Sequence, residues 1–411
     1  MAHRKTTLLA VAAAIIATFA ARPAKQSQTS AAAPPAPPSA STGSNSIHFA
    51  YGGNVAEIPA DFSGGLVLLP LHVNQSQPCF FVLDSTAAAT SIDPQRAAEL
   101  GLSTGQSAEL EFAGVNLTLP SLPQTPKPDF GTRFGREYEG TLGRDFFENF
   151  VVAVDYARKT VRLYDPALYQ YSGRGKGFHI TFAGDMPVVS AKFNTNGKTI
   201  EADLGVNTAL TVSVVLSERY ARAHHMLSHL KTIPATEGSA GETQAAMLGR
   251  MRLFEIGSFP VEQAIATFSS SEQTTGSGKA QIVGQIGGRM LGRFNVIFDY
   301  PRQQIIFEPN SDRRVEEIED MSGVSLVAHG PGLKTFEVTQ VRPDTPGAEA
   351  GLQKGDIIEG IDEDPAADLS LVEVRDLFRQ PGHPYRLTIE RNDQTLHLTM
   401  KLHRLLPDSE S

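Results

Sequence analysis

The sequence predicts a mostly β protein: two tandem β-barrel lobes followed by a smaller α+β unit. Three observations carry this. A 25-residue segment occurs twice, an apolar or alternating strand runs into an acidic turn upstream of each copy, and a strand, glycine turn, helix and strand-pair pattern follows residue 320.

Residues 142–166 read LGRDFFENFVVAVDYARKTVRLYDP, and residues 286–310 read IGGRMLGRFNVIFDYPRQQIIFEPN. At an offset of 144 positions Gly143 meets Gly287, Phe150 meets Phe294, Val152 meets Val296, Asp155 meets Asp299, Tyr156 meets Tyr300 and Arg158 meets Arg302. Six identities without a gap exceed chance, so the chain contains a duplication. Each copy continues as an alternating strand (Val161, Leu163; Ile305, Phe307) that ends at a proline-containing turn.

Upstream of the first copy, Phe80-Phe81-Val82-Leu83 runs into Asp84-Ser85-Thr86. Upstream of the second, Thr199-Ile200-Glu201-Ala202 runs into Asp203-Leu204-Gly205. Helical periodicity is confined mainly to residues 93–100 and 217–230. The two lobes are placed at 47–170 and 171–312. An acidic and basic stretch, residues 311–320, reads as a spacer before a third unit at 321–404. That unit has a strand at 336–341, the segment Pro346-Gly347-Ala348-Glu349-Ala350-Gly351-Leu352, then Gly355-Asp356-Ile357-Ile358, a helix over 369–380, and two strands joined at Asn392-Asp393.

At the N-terminus, His3-Arg4-Lys5 precedes an apolar stretch and small residues near Ala20, which reads as a secretory signal peptide over 1–21. Export to the periplasm or outside the cell is the expectation, with no stable membrane span once the signal is removed; uncleaved, the same segment would anchor the chain. Residues 22–46 are Ala, Pro and Ser with almost no large apolar side chain, the composition of a disordered tether.

Composition narrows the function. The 411 residues carry 36 Lys and Arg against 45 Asp and Glu, a formal net charge of −9 that repels phosphate backbones, so no nucleic-acid partner is expected. One cysteine, Cys79, forms no intramolecular disulfide; at the start of an apolar strand it reads as a buried, inert thiol. No Gly-x-Ser-x-Gly elbow or phosphate loop is present. His224, His225 and His229 lack a third ligand at zinc-site spacing and read as a solvated helix face, so neither metal nor cofactor is expected.

The third unit resembles a PDZ domain of the bacterial, circularly permuted kind, on Pro-Gly-Ala-x-Ala-Gly-Leu followed by Gly-Asp-Ile-Ile. The resemblance implies that a peptide or protein segment adds as a strand to a sheet edge while backbone N–H groups receive its terminal carboxylate. The receiving strand is placed at 322–327, with Gly323, Val324 and Leu326 as peptide-binding residues. The alternative is a closed groove in a module that packs only against its neighbours.

The repeats resemble the lobes of a retropepsin-like aspartyl protease, in which Asp-Thr/Ser-Gly ends an apolar strand and a later apolar pair plus Gly crosses behind it. The resemblance implies Asp84 and Asp203 as the catalytic pair acting on peptide or protein substrates, supported by Ser85, Thr86, Leu204, Gly205, Gly143 and Gly287. Two carboxylates about 3 Å apart cannot both ionise; they share a proton and activate water together. Thr86 stands where the family has Gly, and Leu204 where it has a hydroxyl that braces the two loops. The rival reading is a degenerate homologue that binds peptides without cutting them. Asp155 and Asp299, each followed by Tyr within a strand pattern, read as structural, a turn or ladder contact. A covering flap is sought at 269–279 and between residues 110 and 140.

Overall fold

The computed structural model of the chain describes residues 45–127, 130–195, 198–228, 230–237, 244–270 and 282–407. The signal segment 1–21 and nearly all of the 22–46 tether lie outside the described residues, as do His229 and most of the 269–279 stretch.

The first lobe is a seven-stranded sheet in the order Ser46–Phe49, Val115–Leu119, Ala108–Phe112, Leu68–Val73, Cys79–Leu83, Gly140–Leu142, Ser91–Ile92. The apolar strand Cys79–Leu83 pairs antiparallel with Leu68–Val73 and parallel with Gly140–Leu142. Its unbroken apolar composition follows from burial on both faces, with Phe81, Val82 and Leu83 all buried. The eight-stranded sheet of the second lobe repeats the arrangement. Lys198–Val206 runs parallel to Ile282–Ile286, which pairs antiparallel with Val214–Ser217. The helices expected after each acidic turn are short, Pro94–Glu99 and Glu218–Ala223, each started by a side chain, Asp93 or Ser217, that accepts a backbone N–H.

The duplicated segments meet in a third sheet of six strands: Lys176–His179, Gln304–Pro309, Phe294–Asp299, Val151–Asp155, Thr160–Tyr164, Val55–Pro59. At its centre Val151–Asp155 and Phe294–Asp299 pair antiparallel, with Ala153 opposite Ile297. These two residues are also equivalent in the sequence repeat, 144 positions apart. A pseudo-twofold axis therefore passes between them, and the halves share one sheet. Asp155 accepts the Arg158 N–H, and Asp299 accepts from the Arg302 guanidinium and the Gln304 amide, so both acids brace turns. Phe146, Phe147, Phe150, Phe294, Phe298 and Tyr300 fill one core common to both halves.

The C-terminal unit is built on strands Val324–His329, Thr335–Val341, Ile357–Ile361, Pro384–Arg391 and Gln394–Lys401, with Val324–His329 at an edge. Asn392 and Asp393 both have positive φ, the geometry of a two-residue hairpin turn. Ser370 and Glu373 form a reciprocal capping box on the helix Leu371–Leu377.

Along the 311–320 stretch, whose first half is largely exposed, Glu317 and the buried Glu319 act as a clasp. Arg250, with 1% of its side chain exposed, donates to the Glu317 carbonyl at 2.7 Å and to Glu319 at 2.9 Å. Glu317 accepts from the Ser213 hydroxyl at 2.6 Å and the Ile265 N–H at 3.2 Å, and pairs with Arg293 at 3.7 Å. The second Glu319 oxygen accepts the N–H groups of Leu405 and Leu406. Each buried charge has a partner, the condition under which such groups are tolerated.

Candidate functional site

The strand Cys79–Leu83 delivers Asp84 to a loop that the other lobe holds in place. The Asp84 N–H donates to Leu142 O at 3.0 Å, and its Oδ1 accepts the Thr86 N–H at 2.8 Å and the Thr86 hydroxyl at 2.7 Å. Ser85, fully buried, donates its N–H to Thr208 Oγ1 at 2.9 Å and its hydroxyl to Val206 O at 2.7 Å.

The opposing loop repeats this pattern residue for residue. The Asn207 N–H donates to Ile286 O at 2.9 Å, and Asn207 Oδ1 accepts the Ala209 N–H at 2.9 Å. Thr208 donates its N–H to Ser85 Oγ at 3.1 Å and its hydroxyl to Leu83 O at 2.6 Å. A Cβ on Gly143 would lie 2.4 Å from the Ala89 carbonyl carbon, and one on Gly287 2.2 Å from Val212 O. Ala89 and Val212 each follow by five positions the residue in question, Asp84 or Asn207. Asn207 is thus the counterpart of Asp84.

Asp203 is not. It lies within the strand Lys198–Val206, opposite Ser190 and beside Ile282. Four residue steps of extended chain, about 13 Å, separate it from Asn207. Leu204 is fully buried in the core, and Gly205 is a strand residue whose missing Cβ makes room for the Met186 sulfur, 2.2 Å from where that Cβ would stand. The glycine taken for a turn is a packing site. The cross-bracing hydroxyl expected at position 204 is supplied by Thr208. Thr86 fits without strain: it is not among the non-glycine residues with positive φ, and its hydroxyl bonds Asp84. The missed signal was Val206-Asn207-Thr208-Ala209 beside Leu83-Asp84-Ser85-Thr86, hidden by the demand for an acid in both.

Beneath the loops Tyr300 donates to Ser85 O at 3.4 Å and stacks on Phe147 with centroids 5.0 Å apart. Burial holds its phenol well above the usual range, so it is a neutral donor. The Asn207 amide donates to Gln285 Oε1 at 2.8 Å. The pair of equivalent positions therefore offers one carboxylate and one amide. An amide does not ionise at ordinary pH, so these two equivalent positions do not form a pair of carboxylates that share a proton.

Elsewhere, burial pushes the Cys79 thiol up to about 12, and its S–H points at Leu71 O. The His224 ring packs on Tyr220 at 4.2 Å, and His225 occupies a positive-φ turn. No group of three His, Cys, Asp or Glu side chains among the described residues is arranged to hold a metal, and no helix among them is long and apolar enough to cross a membrane.

In the C-terminal unit Gly323 has φ +70°, and a Cβ there would fall 2.2 Å from Thr345 Oγ1. This position requires glycine. The edge strand begins at Val324, two residues later than the 322–327 expected for the receiving strand. Its Val324 N–H donates to Ser322 Oγ at 3.1 Å, while Ser322 donates its own N–H to Asp320. The Leu326 carbonyl accepts from Arg375 at 2.9 Å.

Residues 337–391 match the family model described as PDZ domain. The C-terminal unit carries a PDZ domain. No curated protein matches the chain. Among solved structures, an aspartic proteinase from Irpex lacteus aligns over 64% of this chain and 99% of its own, at 11% identity and a TM-score of 0.37.

Proposed function

We propose that this chain is an exported peptide-binding protein, a degenerate aspartic-protease homologue that holds extended polypeptide without hydrolysing it, with the PDZ domain as a second peptide-binding element. One observation carries the reading: Asn207 occupies the position equivalent to Asp84. A PDZ domain binds chain segments by strand addition. Gly323, Val324 and Leu326 remain the proposed peptide contacts in the PDZ domain, and residues 1–21 the proposed export signal.

The test is hydrolysis of a mixed peptide library by the purified protein between pH 3 and 7. The wild type is expected to leave the library intact. Asn207→Asp restores a carboxylate pair and is expected to introduce cleavage in the acidic range, abolished when Asp84→Asn is added. Wild-type cleavage that depends on Asp84 would overturn the proposal in favour of an endopeptidase.

A further inference from the structure

We infer that the PDZ groove is already occupied in this structure by residues 130–135 of the chain's own first lobe, and that a peptide partner must displace them. The inference rests on the peptide-binding reading of the PDZ domain and adds what controls it.

The groove lies between the edge strand Val324–His329 and the helix Leu371–Leu377. The short helix Phe130–Phe134 packs along that strand. Gly135, at φ +67°, sits so close to the start of the opposite wall that a Cβ would lie 2.6 Å from Leu371 Cβ. One on Gly131 would lie 4.0 Å from Leu333 Cδ1, and one on Gly64 touches both Phe134 and Val372. Arg375, on the helical wall, stands 5.8 Å from the centre of the Phe134 ring and donates to Leu326 O of the edge strand. Both walls are therefore in contact with the segment, and a carbonyl of the edge strand already has a donor. Covering an edge in this way prevents uncontrolled strand addition.

Two features make the cover displaceable and consequential. A five-residue helix has too few internal hydrogen bonds to persist alone, so its order depends on the contacts around it. Phe134 and Tyr138 also belong to an apolar cluster with Leu66, Leu68 and Val82, against which Ala209 packs. Ala209 follows Thr208 in the loop that braces Asp84 and Asn207. Eviction from the PDZ groove would remove packing from the loop that carries Asn207 and Thr208, linking the two sites.

The probe is a pool of fluorescein-labelled synthetic decapeptides with free C-termini ending in Val, Leu, Ile or Phe, with the C-terminally amidated pool as its control, read by anisotropy against the full chain. Gly135→Val combines an unfavourable φ with a clash and should release the segment; Gly131→Cys with Leu333→Cys, oxidised, should lock it, with the reduced form of the same protein as control. Release is expected to tighten binding about tenfold, the factor for a groove that is free one-tenth of the time. The lock is expected to abolish binding and reduction to restore it, while saturating peptide accelerates tryptic cleavage of the wild type after Arg133. Equal affinity in wild type, released and locked forms would overturn the inference and leave the peptide-binding reading standing. No binding in any form, with Arg133 readily cleaved in Gly135→Val, would overturn the peptide-binding reading itself.

Discussion

Ser85 and Thr208 exchange hydrogen bonds across the two lobes, each backbone N–H donating to the other's hydroxyl oxygen, at 2.9 and 3.1 Å. Their hydroxyls then donate to Val206 O and Leu83 O, each in the opposite half of the chain. Four bonds thus close around the pseudo-twofold axis, using both backbone N–H groups and both hydroxyls of the pair.

Thr208→Val keeps the shape and removes the hydroxyl. The buried Ser85 N–H and the Leu83 carbonyl both lose their partners, at a cost of about 3 kcal/mol. Urea denaturation of Thr208→Val, Ser85→Ala and the double variant should show strong non-additivity, because the single changes break a shared network.

Gly287→Ala should be among the most damaging small substitutions in the chain. The new methyl would meet two backbone carbonyl oxygens, Val212 at 2.2 Å and Leu210 at 2.6 Å, which cannot swing aside. A loss of about 3 kcal/mol is expected. Gly177→Ala meets the end of the Gln304 side chain at 3.1 Å and should stay within about 0.5 kcal/mol of wild type in the same titration.

Asp320 gives the protein a pH dependence of unusual sign. Burial raises its carboxyl above the ordinary value of 3.8, against the opposing effect of the Ser322 hydrogen bonds and of Arg379 and Arg375. A folded state that holds the proton more tightly than the unfolded chain is penalised as pH rises from the unfolded value through the raised one. Asp320→Asn removes that ionisation. The stability difference, variant minus wild type, should therefore increase between pH 4 and pH 7; a constant difference would show that Asp320 titrates normally.

Cys79 should resist alkylation. With its thiol pushed up to about 12 and its side chain buried, almost no thiolate exists at pH 8. Iodoacetamide is expected to label it only in urea, with a labelling midpoint that coincides with unfolding measured by circular dichroism.

The parts of this fold that were legible in the sequence are those fixed locally or by repetition. Asn392-Asp393 announces its turn because both residues tolerate positive φ, and the duplicated 25-residue segment reaches the structure as Ala153 facing Ile297. Asp203 was misplaced because Gly205 looks like a turn glycine, whereas its missing side chain accommodates Met186, a contact that no local pattern records. The clasp at 311–320 reads as loose charge until Arg250, distant along the chain, is seen to require its carboxylates. Residues 130–135 have no periodicity of their own; the groups packed around them, Leu371 and Arg375 on one side and Leu66, Leu68 and Val82 on the other, are distant along the chain.

The central seam also constrains how this protein can be handled. A break in the 164–176 connection would not yield two autonomous pieces, because each would carry half of the six-stranded sheet with its Val151–Asp155 or Phe294–Asp299 backbone stripped of a neighbour. Such fragments would seek each other, or copies of themselves, so severed halves should behave as complementing partners and not as soluble modules.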